Sequence, residues 1–280
     1  TDFKRILIGF MVATALLSMW ISNTATTLMM WPVALAVVGE LARYNSGELT
    51  QRVEKSFGTV LMLSIAYSAS VGGMGTLVGT GTNVAFAALM KEIFPAAPEI
   101  GFVTWMAIGL PVTIIFIPII WFVLFQYGRL LGIAEVHIPQ ESTRRVIADK
   151  LRELGPPQRG EKTIAAVFAA TVFLWIFREP IALGDALLLP GWSQLFPAER
   201  SDYLHDTTTA IFMAALLFVI PVDFKKGIYA MDWQTGVRSV PWDLILLMGG
   251  GFALATGFKS TGLDVFLAGH LGVLSGAPTL

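Results

Sequence analysis

Long apolar runs separated by short polar segments dominate the hydropathy pattern of this chain. About six of these runs are long enough to form helix at membrane depth. They lie between Arg5 and Glu40, Phe57 and Met90, Gly101 and Tyr127, Thr163 and Phe177, Thr207 and Val222, and Trp242 and Leu274. The runs lack the two-residue alternation of a barrel strand, and helices satisfy their own backbone hydrogen bonds in lipid. The pattern predicts an all-α polytopic membrane protein.

The first run is interrupted by the polar cluster Ser22-Asn23-Thr24-Ala25-Thr26-Thr27. No residue from Ile6 to Gly39 is charged, and this stretch is too long for one crossing of about 20 residues but too short for two. We therefore expect a re-entrant helical hairpin, with arms of about 16 and 12 residues that meet near Asn23 at mid-membrane. The alternative is that these Ser and Thr side chains only cap or pack two ordinary helices.

A hairpin tip at that depth exposes helix ends of both polarities. The first arm ends with carbonyl groups near Ser18 and Ser22, which together with the hydroxyls and the Asn23 amide oxygen are ligands suited to a small cation. The second arm begins with free N–H groups near Thr24, and a helix N-terminus attracts carboxylate. The turn thus predicts a cation site and an anion site side by side.

The second run contains the glycine-rich segment from Gly72 to Asn83. So many glycines disfavour regular helix, and the segment predicts an unwound loop within a broken transmembrane helix. A helix-packing face built on the GxxxG spacing of Gly75 and Gly79 is one alternative. A phosphate-binding loop is the other, but the Lys-Ser or Lys-Thr ending of that motif is missing.

Composition supports a membrane protein, and the lack of catalytic motifs argues against the rival interpretation as an intramembrane enzyme. Of 280 residues, 55% are apolar and 14% charged, whereas soluble domains carry about 25% charged residues. The absence of cysteine excludes disulfides and thiolate sites. The net charge of −1 argues neither for nor against a charged partner, and we expect no nucleic-acid partner for a membrane-embedded chain. HExxH and GxSxG motifs are missing, and the histidines are far apart at His137, His205 and His270. The carboxylates that could couple protons, Asp185, Asp243 and Asp264, lie near predicted membrane ends, where interfacial roles are favoured.

Basic residues predict the orientation. If the first run enters and leaves on one side, that side holds fifteen of the nineteen Lys and Arg residues, which places it in the cytoplasm. Residues 128–162 form a cytoplasmic segment in which Arg144, Arg145, Lys150 and Arg152 alternate with apolar residues as on an amphipathic surface helix.

The other predicted regions are the hairpin (1–40), the broken helix with the following helix (41–127), and further transmembrane helices (163–280). The loop 178–206 is predicted to be an outer interfacial segment.

Two motifs resemble those of the divalent anion:sodium symporter family, whose members carry dicarboxylates or citrate. They are Ser18-Met-Trp-Ile-Ser-Asn-Thr-Ala-Thr-Thr27 followed by Pro32, and Ser70-Val-Gly-Gly-Met-Gly-Thr-Leu-Val-Gly-Thr-Gly-Thr-Asn83. Residues 249–255 and 260–263 resemble the stretch before that family's second hairpin. The resemblance implies an inverted-repeat transporter fold and a homodimer. It also implies that the chain is a fragment, without the second Ser-Asn-Thr hairpin, and we expect these residues alone not to transport.

The resemblance further implies roles for individual residues. Ser18, Ser22, Asn23 and Gly79 would bind sodium, Asn23 and Thr24 would contact substrate with Thr80 close by, and Gly75, Gly81 and Asn83 would support the loop. Thr82 stands where the family usually has proline, which bears on loop stiffness and substrate choice.

The expected function is sodium-coupled secondary active transport of di- or tricarboxylates such as succinate, malate or citrate across a plasma or inner membrane. An ion or anion channel, and a carrier of sulfate or another anion, remain the alternatives.

Overall fold

The computed structural model describes residues 3–44, 50–51, 53–133, 148–149, 151–183, 186–197 and 203–275. The chain is mainly helical and divides into two compact units, Thr1–Ala230 and Met231–Leu280.

Seven helices with both ends described and two short antiparallel strand pairs form most of the described part of the first unit, in which residues 50–51, 148–149 and 151–154 are also helical. The helices are α1 Phe3–Ser18, α2 Asn23–Tyr44, α3 Gly58–Gly73, α4 Gly81–Ile93, α5 Phe102–Leu130, α6 Arg159–Ile176 and α7 Asp206–Val219. A π-helical turn, Val53–Phe57, precedes α3. The strands are β1 Ile181–Leu183 with β2 Ala186–Leu189, and β3 Pro221–Asp223 with β4 Ile228–Tyr229. Single 3₁₀ turns cover Trp192–Leu195 and Phe224–Lys226.

The second unit contains α8 Trp233–Ser239, α9 Trp242–Thr261 and α10 Leu263–Ser275. Asp232 caps α8 by accepting the Thr235 N–H at 2.9 Å, and its hydrogen bonds with Thr235 lower the pKa of the carboxyl group. Gly262 adopts a left-handed φ of 68° between α9 and α10. The last apolar run therefore forms two helices, because glycine tolerates this conformation and ends α9.

Both predicted helix breaks are present. Helix α1 ends at Ser18 and α2 begins at Asn23, while α3 ends at Gly73 and α4 begins at Gly81. The second arm of the first pair is longer than predicted, however, since α2 has 22 residues rather than about 12. Glu40 ends the apolar run but not the helix, which continues to Tyr44, and the Glu40 carboxylate pairs with Arg43 at 3.3 Å in the last turn.

Within the described residues, three helices are long and apolar enough to cross a membrane: Asn23–Arg43, Glu54–Gly73 and Phe102–Leu130. This is fewer than the apolar runs because the breaks leave short helices, such as α1 with 16 residues and α4 with 13. These helices belong to an integral membrane protein. Much of the predicted amphipathic segment, including Arg144, Arg145 and Lys150, lies outside the described residues, as do His137 and Asp185.

The core of the first unit forms where α1 and α2 pack against α3. Helices α1 and α3 run in the same direction, since Phe3 contacts Phe57 at one end and Ala15 contacts Gly72 at the other. At Gly72, an added Cβ would lie 2.4 Å from the Ala15 carbonyl oxygen, so the two backbones are in direct contact. Parallel packing at this distance places the C-terminal ends of α1 and α3 side by side.

Candidate functional site

The two helix breaks meet at the side chain of Ser18, the last residue of α1. Its fully buried hydroxyl lies 2.8 Å from Asn23 Oδ1 at the start of α2 and 2.7 Å from the Ala69 carbonyl oxygen in α3. A hydroxyl carries one proton and donates to only one of these acceptors at a time. Three oxygens therefore share one proton, and a cation can satisfy the lone pairs that remain.

Glycines allow the two breaks to approach this closely. A Cβ added at Gly73 would lie 2.2 Å from Asn23 Oδ1. A Cβ added at Gly79 would lie 2.5 Å from the Gly73 carbonyl oxygen and 3.0 Å from that of Ser18. Oxygens of the turn between α1 and α2 and of the glycine loop thus surround positions where no side chain fits.

Two polar side chains brace the loop between α3 and α4. The Thr76 hydroxyl, fully buried, donates to the Met19 carbonyl oxygen in the turn between α1 and α2 and accepts the Gly79 N–H at 3.1 Å. The Asn83 amide donates to the carbonyl oxygens of Gly73 and Thr76, both at 2.8 Å. These bonds satisfy buried backbone groups and fix the loop against the turn between α1 and α2.

Helix α5 supports the loop from its other side. The Trp105 indole N–H donates to the Met74 carbonyl oxygen at 2.9 Å, and the Thr113 hydroxyl donates to that of Val71 at 3.0 Å. Gly109 lies between them, and an added Cβ there would come within 2.3 Å of the Met74 carbonyl oxygen. The loop is therefore enclosed between the α1–α2 turn and α5.

Four helix ends give this region its electrostatic character. Helices α1 and α3 end here with their carbonyl poles, and α2 and α4 begin here with their N–H poles. Carbonyl poles attract cations and N–H poles attract anions. Among the described residues there is no cluster of three or more His, Cys, Asp or Glu that could hold a metal. A cation at this place would be held by neutral oxygens, which suit a hard monovalent ion such as sodium.

The structure brings together some of the residues singled out from the sequence and leaves others at the margin. Ser18, Asn23 and Gly79 form the centre, and half-buried Thr80 precedes the first turn of α4 beside Gly79. Thr24 is exposed on the first turn of α2. Ser22 is exposed too, and in the described part of the chain its hydroxyl contacts only the Ala25 N–H, at 3.3 Å.

The supporting glycines differ in how tightly they are packed. Gly75 is buried, and an added Cβ would lie 3.2 Å from the side chains of Met19 and Thr113. Gly81 is half-buried and is the first residue of α4.

Sequence reasoning assigned no role to Thr76, Trp105 or Thr113. A hydroxyl inside a glycine loop was a usable signal for Thr76. Trp105 and Thr113 lie within an apolar run, where nothing local distinguishes them from residues that face lipid.

A buried ion pair was also missed, in the loop to which the sequence assigned no chemistry. Arg178, 5% exposed, places its Nε 2.9 Å from Asp206 Oδ1 and donates from Nη1 to the Leu204 carbonyl oxygen at 3.0 Å. The second carboxylate oxygen, Asp206 Oδ2, accepts the Phe102 N–H at 2.7 Å. The pair therefore joins the start of α5, the end of α6 and the start of α7.

Comparison with known proteins places this geometry in context. A family described as the sodium:sulfate symporter transmembrane region matches residues 3–278. A sodium-dependent dicarboxylate transporter of Staphylococcus saprophyticus, SdcS, is 34% identical over 281 residues, which is 100% of this chain and 50% of the relative. The sodium-dependent high-affinity dicarboxylate transporter 3 of Caenorhabditis elegans is 32% identical over 98% of this chain and 50% of its own length. The chain thus spans about half the length of the curated relatives it matches.

Proposed function

The chain belongs to the sodium:sulfate symporter family, and on that premise we propose that it is part of a sodium-coupled secondary carrier of dicarboxylates. The observation that carries the proposal is the meeting of two helix breaks at Ser18, Asn23 and Gly79. Broken helices that present opposite poles at one place are the arrangement by which secondary transporters bind ions and substrates.

Sodium is proposed to bind on the carbonyl side of this meeting point. The available ligands are the hydroxyl and carbonyl oxygens of Ser18, Asn23 Oδ1, and backbone oxygens around Gly79. In the described part of the chain, the Ser18 carbonyl oxygen accepts no hydrogen bond, so a cation would not have to displace one. Ser22 belongs to the proposed ligand set through the family resemblance alone.

A substrate carboxylate is proposed to bind on the N–H side. Helix α2 begins at Asn23 and Thr24, and α4 follows Thr80, so two positive helix ends and two hydroxyls are available to one carboxylate. The other carboxylate of the substrate then requires groups outside these residues. This fits a chain that spans about half of its relatives.

Coupling follows from placing the two charges side by side. Bound sodium would neutralise the lone pairs of Ser18 and Asn23 and attract the carboxylate in a region of low dielectric. Each net charge that crosses the full membrane potential contributes about 2.3 kcal/mol per 100 mV, so excess sodium would drive the carboxylate inward.

Several finer features belong to the same proposal. The α1–α2 pair is proposed as a hairpin that enters and leaves from the cytoplasmic side, because the basic loops favour that side. Tricarboxylates as further substrates, an inverted repeat completed by a second hairpin, a homodimer, and a plasma or inner membrane location rest on the family resemblance.

Sulfate is the second candidate substrate, because the matching family is described as a sodium:sulfate symporter. We favour dicarboxylates because the curated relatives that match the whole chain are named dicarboxylate transporters.

The test is uptake of labelled succinate by the full-length protein that contains this chain, reconstituted in vesicles with an inward sodium gradient. We expect saturable uptake that collapses when potassium replaces sodium, without an open conductance. Labelled sulfate in the same vesicles is expected to accumulate more slowly.

Ser18→Ala tests the sodium site itself. It removes one oxygen ligand, and a hydrogen-bond-like contact with a charged group contributes about 1.5–3 kcal/mol, so the half-saturating sodium concentration should rise about ten-fold or more. Ser70→Ala is the matched control, since that exposed hydroxyl bonds only to the Ala66 carbonyl oxygen of its own helix. Sodium-independent uptake in the wild type, or an equal sodium dependence in both variants, would reject the site.

A further inference from the structure

The β3–β4 hairpin projects an apolar and basic tip from the end of a membrane helix. It begins two residues after α7, and its 3₁₀ turn carries Phe224, which is 85% exposed, followed by exposed Lys225 and Lys226. Exposing a phenylalanine ring to water to this extent is unfavourable in free energy. At a membrane interface, in contrast, the ring can enter the acyl boundary.

The apolar surface of α7 continues into this hairpin. Ile211, Phe212 and Val219 on the helix are 66%, 61% and 68% exposed, and Ile228 on β4 is 50% exposed. A helix that exposes large apolar side chains inside a membrane protein faces lipid. The hairpin therefore sits where this lipid-facing surface reaches the headgroups.

Helix α6 adds positive charge to the same end of the unit. Gly160 in its first turn lies beside Val222 of β3, since an added Cβ would be 3.8 Å from Val222 Cγ1. The exposed residues Arg159 and Lys162 flank this contact. Two segments far apart in sequence thus combine four basic side chains with the exposed ring of Phe224 at the tip and that of Tyr229 on β4.

The two carboxylates on these segments are already committed to local hydrogen bonds. Asp223 Oδ1 accepts the Lys225 and Lys226 N–H groups at 3.1 and 3.3 Å, and Glu161 Oε2 accepts the Gln158 N–H at 2.8 Å. The one ion pair here, Lys226 Nζ to Asp223 Oδ2, is long at 3.9 Å, and the lysine side chain is 74% exposed. Four basic groups against two acidic ones leave an excess of two positive charges facing outward.

We propose that the β3–β4 hairpin and the first turn of α6 form a binding surface for anionic lipid headgroups, with Phe224 inserted at the acyl boundary and Lys225 and Lys226 on lipid phosphates. Anionic lipids attract juxtamembrane basic residues, and these residues lie on the side of the chain that is rich in basic loops. This surface is separate from the proposed ion and substrate site and does not depend on it.

The experiment places a polarity-sensitive fluorophore on Phe224→Cys in the full-length protein, after replacing any cysteine outside this cysteine-free chain. The protein is held in phosphatidylcholine nanodiscs that contain a small fixed fraction of brominated phosphatidylglycerol or, in parallel, brominated phosphatidylcholine. The ratio of quenching by the two lipids measures anionic enrichment at the hairpin. We expect a blue-shifted emission spectrum and a quenching ratio well above one. Each lysine that reaches the surface should raise this ratio about five-fold.

Three controls make the result decisive. Lys225→Gln with Lys226→Gln should bring the ratio close to one, whereas arginine at both positions should preserve it. The same fluorophore on Ala96→Cys should give a ratio near one, because its loop lies at the other end of the unit, where Gly101 approaches Arg178. A water-like spectrum at position 224, or an unchanged ratio after removal of both lysines, overturns the proposal.

Discussion

Replacing Gly79 with alanine should weaken sodium binding, because backbone surrounds the added methyl group. Its Cβ would lie 2.5 Å from the Gly73 carbonyl oxygen, whereas ordinary contact begins at 3.4 Å, so the loop must open by about 0.9 Å. The Ser18 carbonyl oxygen, at 3.0 Å, blocks movement toward the α1–α2 turn. Such overpacking typically costs about 1–3 kcal/mol, which would weaken sodium binding about 5- to 160-fold if it falls on the bound state.

Sodium-dependent thermal stabilisation of the purified full-length protein measures this effect, since a ligand that binds only the native state raises the unfolding temperature with its concentration. We expect the sodium titration of Gly79→Ala to shift to higher concentration. Gly9→Ala is the matched control: Gly9 lies within α1 with nothing within 4 Å of an added Cβ. Alanine there should stabilise the protein by about 0.5–1 kcal/mol and leave the sodium titration unchanged.

The reasoning fails if Gly79→Ala binds sodium as the wild type does while remaining folded. It also fails if Gly9→Ala shifts the titration equally, because the effect would then be general to glycine replacement rather than local to the two helix breaks.

Three further predictions follow from other contacts. Thr76→Val should destabilise the protein by about 1–3 kcal/mol in thermal unfolding, because it leaves a buried carbonyl and N–H group without a partner, whereas exposed Thr82→Val should have little effect. Arg178→Met should cost about 3–5 kcal/mol, because it leaves the carboxylate of its ion pair buried, while Arg43→Ala breaks an exposed pair and should cost less than about 1 kcal/mol. Thr24→Val should raise the KM for succinate about ten-fold without changing the sodium titration, and an unchanged KM would remove Thr24 from the proposed substrate site.

Local sequence signals located the two breaks but not every helix boundary. The Ser-Asn-Thr cluster and the glycine run predicted ends close to Ser18 and Gly73, because both interrupt long apolar runs. The end of α2 was misplaced because Glu40 was taken as the edge of the apolar helix. Charge ends a lipid-facing segment, but a helix continues wherever its backbone bonds are satisfied.

The family was also readable from the sequence, and the prediction that the chain belongs to the divalent anion:sodium symporters is confirmed by the match over residues 3–278. Its motifs are short and contiguous, so they needed no tertiary information. The roles of individual residues at the site stay predictions, because the contacts of the described residues fix their positions but not what they bind.

The sequence by itself determined that apolar helices are broken twice by polar and glycine-rich segments. It could do so because the length of an apolar run, and the residues that interrupt it, are local properties of the chain. Only the tertiary structure decided that the breaks face each other: Ser18 reaches the Ala69 carbonyl oxygen 51 residues away, and Arg178 pairs with Asp206 across a loop. The parallel packing of α1 on α3 creates the first contact, and that packing depends on side chains spread over both helices. A pattern along one chain records which residues avoid water, but not which of them meet.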